Sequence, residues 1–168
     1  MPGGADLPFC RILNGEGNRR IKQYVYSGGA YAGFCAGGYY ASSRCEFEVG
    51  DDKMEVAGDR ELQFFPGICR GTAFPGFEYS SETGTRAAEL RVEKASLPSS
   101  AGVLPEMFRS YSNGGGVYVD ALKYKDRGVE VLANYTEELK VDPGECAAAV
   151  VFCKVGEGCA LLTGSHPE

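Results

Sequence analysis

The stretch AYAGFCAGGYYASS, residues 30–43, sets Cys35 at a change of pattern. Before it lies a short apolar segment that fits a buried strand. After it come Ala36, Gly37 and Gly38, then YYASS, which can open a helix. Small residues on both sides leave room for a sharp strand-to-helix turn that bulky neighbours would block. The stretch therefore predicts strand, elbow and helix centred on Cys35, within an α/β domain. On these residues alone, Cys35 is either a nucleophile presented by the elbow or a buried structural thiol, the commoner fate of cysteine in apolar surroundings.

Working outward, residues 18–27 carry Ile21, Tyr24 and Val25 at helical spacing. Asn18 is the expected N-cap and Gly28-Gly29 the expected stop. Towards the C-terminus, AAELRVE alternates Ala88, Leu90 and Val92 on one face, as a half-buried strand does. GGVYVDA, VEVLANY and AAAVVFCKV read as further strands, and Gly156 to Gly158 turns the last of these into CALLTG as a hairpin. Helix is expected early and a β-rich half late, in one domain spanning residues 1–168 without an internal linker. Met1 runs at once into PGG, a turn that normally follows a strand, and Glu168 directly follows the last strand. Both ends thus read as cut from a longer protein.

Composition narrows the function classes. Of 168 residues, 43% are hydrophobic and 24% charged, a soluble globular balance. The 24 glycines fall in short clusters without a period, which indicates many tight turns. Net charge is −6 and no basic patch gathers, so nucleic acid is not an expected partner. Residues 146–153, the longest apolar run, are too few to span a bilayer, and no membrane is expected. The opening MPGGADLPFC lacks both parts of a signal peptide. Seven cysteines without a C-x-x-C pair, and a single histidine, favour reduced thiols in a cytoplasmic protein and call for neither metal nor cofactor.

Thiol catalysis needs a base to generate the thiolate and a group to orient that base. His166 is the only histidine, in TGSHPE at a strand end. The residue before proline is extended, so His166 and Glu168 would project the same way, as base and orienter. The N-terminus of the helix after the elbow and His166 are both expected to lower the Cys35 pKa, making it the most reactive of the seven thiols. Backbone N–H groups of Ala36 and of the Gly3-Gly4 turn are candidates for an oxyanion hole, and Gly37, Gly38 and Tyr39 for the pocket. SNGGGV, residues 112–117, either lines a pocket or turns into a strand. FFPGICRGTAFPGF reads as core and turn packing, with a place near the elbow open to it, and Glu46 and Glu48 as a solvated strand edge or a carboxylate beside Cys35.

These motifs resemble a known superfamily. GFCAGG resembles the G-x-C-x-G elbow of class I glutamine amidotransferases, SHPE their terminal H-P-E, and PGG their oxyanion turn. Over nearly the whole chain, PGGADLPFC, YVYSGGAYAGFCAGGYYASSRCEFE, MEVAGDRELQFFPGICRGTAFPGFEY, NGGGVYVD and AAAVVFCKVGEGCALLTGSHPE resemble the N-terminal domain of eukaryotic, especially fungal, biotin-protein ligases. The resemblance implies a flavodoxin-like, amidotransferase-like α/β fold lacking its first strands, with Cys35, His166 and Glu168 as a triad. It implies a separate biotin-ligase catalytic domain in the same longer chain, and a regulatory or weakly catalytic role without biotin ligation, since the Gly/Arg-rich adenylate loop is absent. Where glutamine-hydrolysing members carry a glutamine four residues after the cysteine, this chain has Tyr39. The alternative is an active Cys-His-Glu amidohydrolase on a small amide other than glutamine.

Overall fold

A computed structural model describes residues 1–96 and 102–166. Two helices, α1 (Asp6–Leu13) and α2 (Glu16–Tyr26), precede β1 (Ala30–Phe34), α3 (Ala36–Ala41) and β2 (Ser42–Phe47). Then follow β3 (Val56–Asp59), β4 (Phe65–Gly71), β5 (Arg86–Val92), β6 (Met107–Ser112) and β7 (Val117–Tyr118). The chain ends on β8 (Val129–Tyr135), β9 (Ala148–Val155) and β10 (Gly158–Thr163). They form a six-stranded sheet ordered β1-β10-β9-β8-β5-β6 and a four-stranded sheet ordered β3-β2-β4-β7. The fold is α/β with mixed sheets: β1 is parallel to β10 and β2 to β4, while the remaining pairs are antiparallel.

The expected strand, elbow and helix stand at residues 30–41, and the β9–β10 hairpin turns at the glycines that predicted it. The helix expected over residues 18–27 begins earlier, at Glu16, with Gly15 as its cap. Asn18 does not cap it. It is 1% exposed, donates to Asn14 and Glu61, and accepts the Tyr40 hydroxyl at 2.7 Å. The stop is as expected: Gly28 has φ 107°, and the Gly28 and Gly29 N–H groups close on Val25 and Tyr24.

The main core is built from Val25, the elbow-helix tyrosines, Phe65, Tyr118, Val151 and Leu162. Each such apolar side chain contributes ~1.5–3 kcal/mol on burial. α2 packs on β1 and β10, and α1 on α3. At α1, Asp6 is buried and accepts Arg60 Nε at 2.7 Å, which ties the N-terminal segment to the end of β3. An ion pair so enclosed needs both partners. Among the described residues no helix is long and apolar enough to cross a membrane.

Candidate active site

Cys35 joins β1 to α3 with φ 48° and ψ −107°, a conformation that L-residues other than glycine rarely adopt. Its neighbours hold it there. The Cys35 N–H donates to Thr163 O at 2.9 Å, and its carbonyl accepts from Gly38 and Tyr39. The N–H of Phe34 bonds the Met1 carbonyl, and that of Gly37 the Pro2 carbonyl. A Cβ on Gly37 would run into the Met1 carbonyl, and one on Gly38 into the Tyr118 hydroxyl. Gly37 and Gly38 are therefore demanded by the close approach of these two groups. They support the elbow from behind, whereas Ala36 faces the space in front of it.

The parallel pairing of β1 with β10 brings the second half of the site alongside. Phe34 is in register with Thr163, so both strands deliver their following residues to one sheet edge. Cys35 comes from one strand, and Gly164, Ser165 and His166 come from the other. The His166 N–H donates to Tyr111 O at 2.8 Å, and its ring meets the Tyr111 ring edge-on at 5.5 Å. Gly3 lies directly under the imidazole. Cys35 and His166 line one open cleft of about 840 Å³ together with Gly4, Tyr79 and Asn113. Glu168, expected to orient His166, lies outside the described residues.

The sulfur itself is 5% exposed as judged by its residue, and its hydrogen bond runs to the Asn113 carbonyl at 3.7 Å rather than to His166. Burial pushes the Cys35 thiol up to about 11, against the pull of backbone N–H groups from Ala36 and Gly4 that favour the thiolate. The expected lowering of this pKa is thus not found. Desolvation outweighs the two amides, and α3, six residues long, is short. Burial raises Cys153 too, to about 12, and also Cys45 and Cys69. The two amides that reach the sulfur come from Ala36 and Gly4, while Gly3 lies beneath the His166 ring.

Behind the sulfur lies a smaller cavity of about 60 Å³, walled by Tyr39, Phe47, Val56 and Phe77. Tyr39 lines it without filling it. Its hydroxyl donates to Gly114 O at 3.2 Å and its ring meets Phe47 edge-on at 5.8 Å. Tyr40 points the other way, into the core, to Asn18. Of the two uses weighed for residues 112–117, Asn113 and Gly114 line the cavity, and Phe77 and Tyr79 reach it from the Pro-Gly turns. Glu46 and Glu48 do neither thing expected of them. Glu48 is 7% exposed and accepts from Thr72 and Lys140, and Glu46 binds Arg44 and Arg70, all around a separate cleft. Among the described residues, no three His, Cys, Asp or Glu side chains are grouped to hold a metal ion.

Residues 1–168 match the family model for biotin-protein ligase, N terminal. The chain is 43% identical over 168 residues to the biotin–protein ligase of Schizosaccharomyces pombe, and 36% identical over 169 residues to an uncharacterized protein of Chlamydia muridarum. It is covered completely in both cases but spans only 25% and 59% of those relatives. Among solved structures, a ThuA-like protein from Bacteroides uniformis superposes with a TM-score of 0.50 at 16% identity, over 91% of this chain and 56% of that one, a likeness of fold alone. With its whole length matched, the chain belongs to the biotin-protein ligase N-terminal family.

Proposed function

We propose that this chain is the amidotransferase-like N-terminal unit of a longer biotin-protein ligase. In that role its Cys35 cleft regulates the enzyme by binding a small ligand and carries only slow thiol chemistry of its own. The observation that carries this is the state of Cys35. It is held on a strained elbow under two backbone amides, beside a formed cavity, yet its thiol is pushed up to about 11 and bonded to a carbonyl. A site built to turn over rapidly near neutral pH needs the thiolate. A site built to hold a ligand needs the cavity and the amides.

The amides also support slow Cys35-dependent amide cleavage as a second reading. There the sulfur adds to the carbonyl carbon, the Ala36 and Gly4 N–H groups stabilise the oxyanion, and the thiol proton passes through His166 to the leaving nitrogen as the C–N bond breaks. Water then splits the thioester and returns the thiol.

The regulatory role is tested by placing this chain in the S. pombe ligase in place of its matching quarter and measuring biotin transfer to an acceptor protein. Cys35→Phe, which fills the cleft, is expected to change the transfer rate severalfold. The 168-residue chain alone is expected to transfer none. Equal rates for the chimera and its filled variant would overturn the regulatory role.

A further inference from the structure

We infer that the Cys35 cleft selects secondary amides joining a short apolar acyl group to an amine half that carries a positive charge. The inference rests on the use of this cleft proposed above and adds the class of its ligand. Three separate features, one for each part of the molecule, carry it.

The acyl side is set by the inner cavity. At about 60 Å³ it is walled by aromatic and aliphatic side chains. An apolar cavity that admits benzene measures about 150 Å³, so this one seats roughly two or three carbons. The one carboxylate in its lining, Asp6, is already engaged by Arg60 at 2.7 Å and does not call for a charged group there.

The amide is set by Asn113, which lines both the cavity and the outer cleft. The Asn113 backbone carbonyl takes the thiol at 3.7 Å, so this acceptor stands beside the sulfur where cavity and cleft meet. It is matched by the N–H of a secondary amide, and an ester has no such donor.

The amine side is set by charge. The outer cleft holds Glu78 and Glu82 with Ser80 and Ser81, and neither lysine nor arginine lines it. The residues outside the described set contain no lysine or arginine either. Tyr111 donates its hydroxyl to Glu82 at 2.6 Å and holds that carboxylate on the cleft wall. A carboxylate or phosphate on the ligand would meet like charge, whereas an ammonium group meets two glutamates.

The test follows alkylation of Cys35 by iodoacetamide at pH 9.5 in the intact chain, read by peptide mass spectrometry, with three protecting compounds. These are N-butyryl-1,5-diaminopentane, a cationic amide; N-butyryl-6-aminohexanoate, its anionic counterpart; and butyrylcholine, a cationic ester. The cationic amide is expected to protect at a concentration on the order of tenfold below either of the others. Glu78→Gln with Glu82→Gln should erase the gap between cation and anion and leave the gap between amide and ester in place. Equal protection by all three, or by none while Cys35 still alkylates, overturns the inference and leaves the proposed use of the cleft standing. A Cys35 that stays unmodified without any protectant overturns that proposed use as well.

Discussion

The imidazole of His166 rests on Gly3: a Cβ at Gly3 would meet the ring at Cε1 before any other atom. The turn at the start of the chain and the segment after β10 are thereby fitted to each other across the mouth of the cleft. Any side chain at position 3 has to push the ring, and the ring is free to give because it ends a side chain. Gly3→Ala is therefore expected to move His166 while lowering stability by no more than ~1 kcal/mol. As the chain has one histidine, its Cε1 proton gives a single NMR resonance that reports the movement directly. An unshifted resonance would show that the ring does not rest there.

The pH dependence of Cys35 follows from its burial. The ordinary thiol value is 9.0 and the folded value is about 11, so the native state favours the neutral thiol. This contribution is fully present below pH 9 and is lost as pH rises towards 11, because there the unfolded chain has already released its proton. Alkylation of native Cys35 should accelerate about tenfold per pH unit from pH 7 to 10, with no plateau near neutrality. The urea midpoint should fall from pH 9 to 11, less steeply in Cys35→Ala than in the wild type. A plateau in alkylation below pH 8 would mean that the amides and His166 outweigh desolvation.

Much of the elbow was legible from residues 30–43, because small residues in a tight turn and an apolar strand before it leave few alternatives. The β9–β10 hairpin was legible for a similar reason, since alternation and Gly156 to Gly158 agree. Of the four-stranded sheet only β7, within GGVYVDA, was legible. Its β4 carries Pro66 and Gly67, which argue against a central strand, yet the register with β2 shifts between Ser42 and Arg44 where those two residues fall. The bulge absorbs a missing donor that a regular ladder could not. α1 was hidden by Pro8, which is tolerated because it sits in the first turn. In the site, Asn113 and Phe77 are brought to Cys35 by tertiary packing that no local pattern encodes. The thiol pKa is not legible in the sequence, because the helix dipole can be read locally and desolvation cannot.

Gly116 is fitted as closely as Gly3, but against partners that cannot yield. A Cβ there would stand 2.7 Å from Tyr39 Oη and 2.8 Å from Cys69 Sγ, both in the core. Gly116→Ala is expected to cost ~1–3 kcal/mol by overpacking. Adding Tyr39→Phe removes the nearest atom and should restore part of the loss, measured as urea midpoints around a double-mutant cycle. Strict additivity would refute the contact.

The buried pair of Asp6 and Arg60 makes a sharper demand. Arg60→Leu leaves the Asp6 carboxylate enclosed without its cation, at an expected loss of ~3–5 kcal/mol. Replacing both by leucine removes the stranded charge and should recover most of it. Thermal unfolding of the two single variants and the double variant decides, and a double variant no better than Arg60→Leu would exclude the pairing as the cause.

Free glutamine is expected to be a poor ligand for the same elbow. Tyr39 lines the cavity beside the Cys35 sulfur, and its hydroxyl is committed to the Gly114 carbonyl at 3.2 Å. The amide and amine groups of glutamine would find no partner at that position, and a site lacking a needed hydrogen bond discriminates strongly against the ligand that requires it. The outer cleft adds a second obstacle, because it offers the glutamine carboxylate Glu78 and Glu82 and, among the described residues, no lysine or arginine. Tyr39→Gln does not repair this, since it leaves the charge unchanged and opens a gap against Phe47 and Gly114. Ammonia release from glutamine should therefore be indistinguishable between wild type, Tyr39→Gln and Cys35→Ala at pH 7 to 9. Robust release that depends on Cys35 would show that this cleft hydrolyses glutamine and remove the basis for a cationic amide as its ligand.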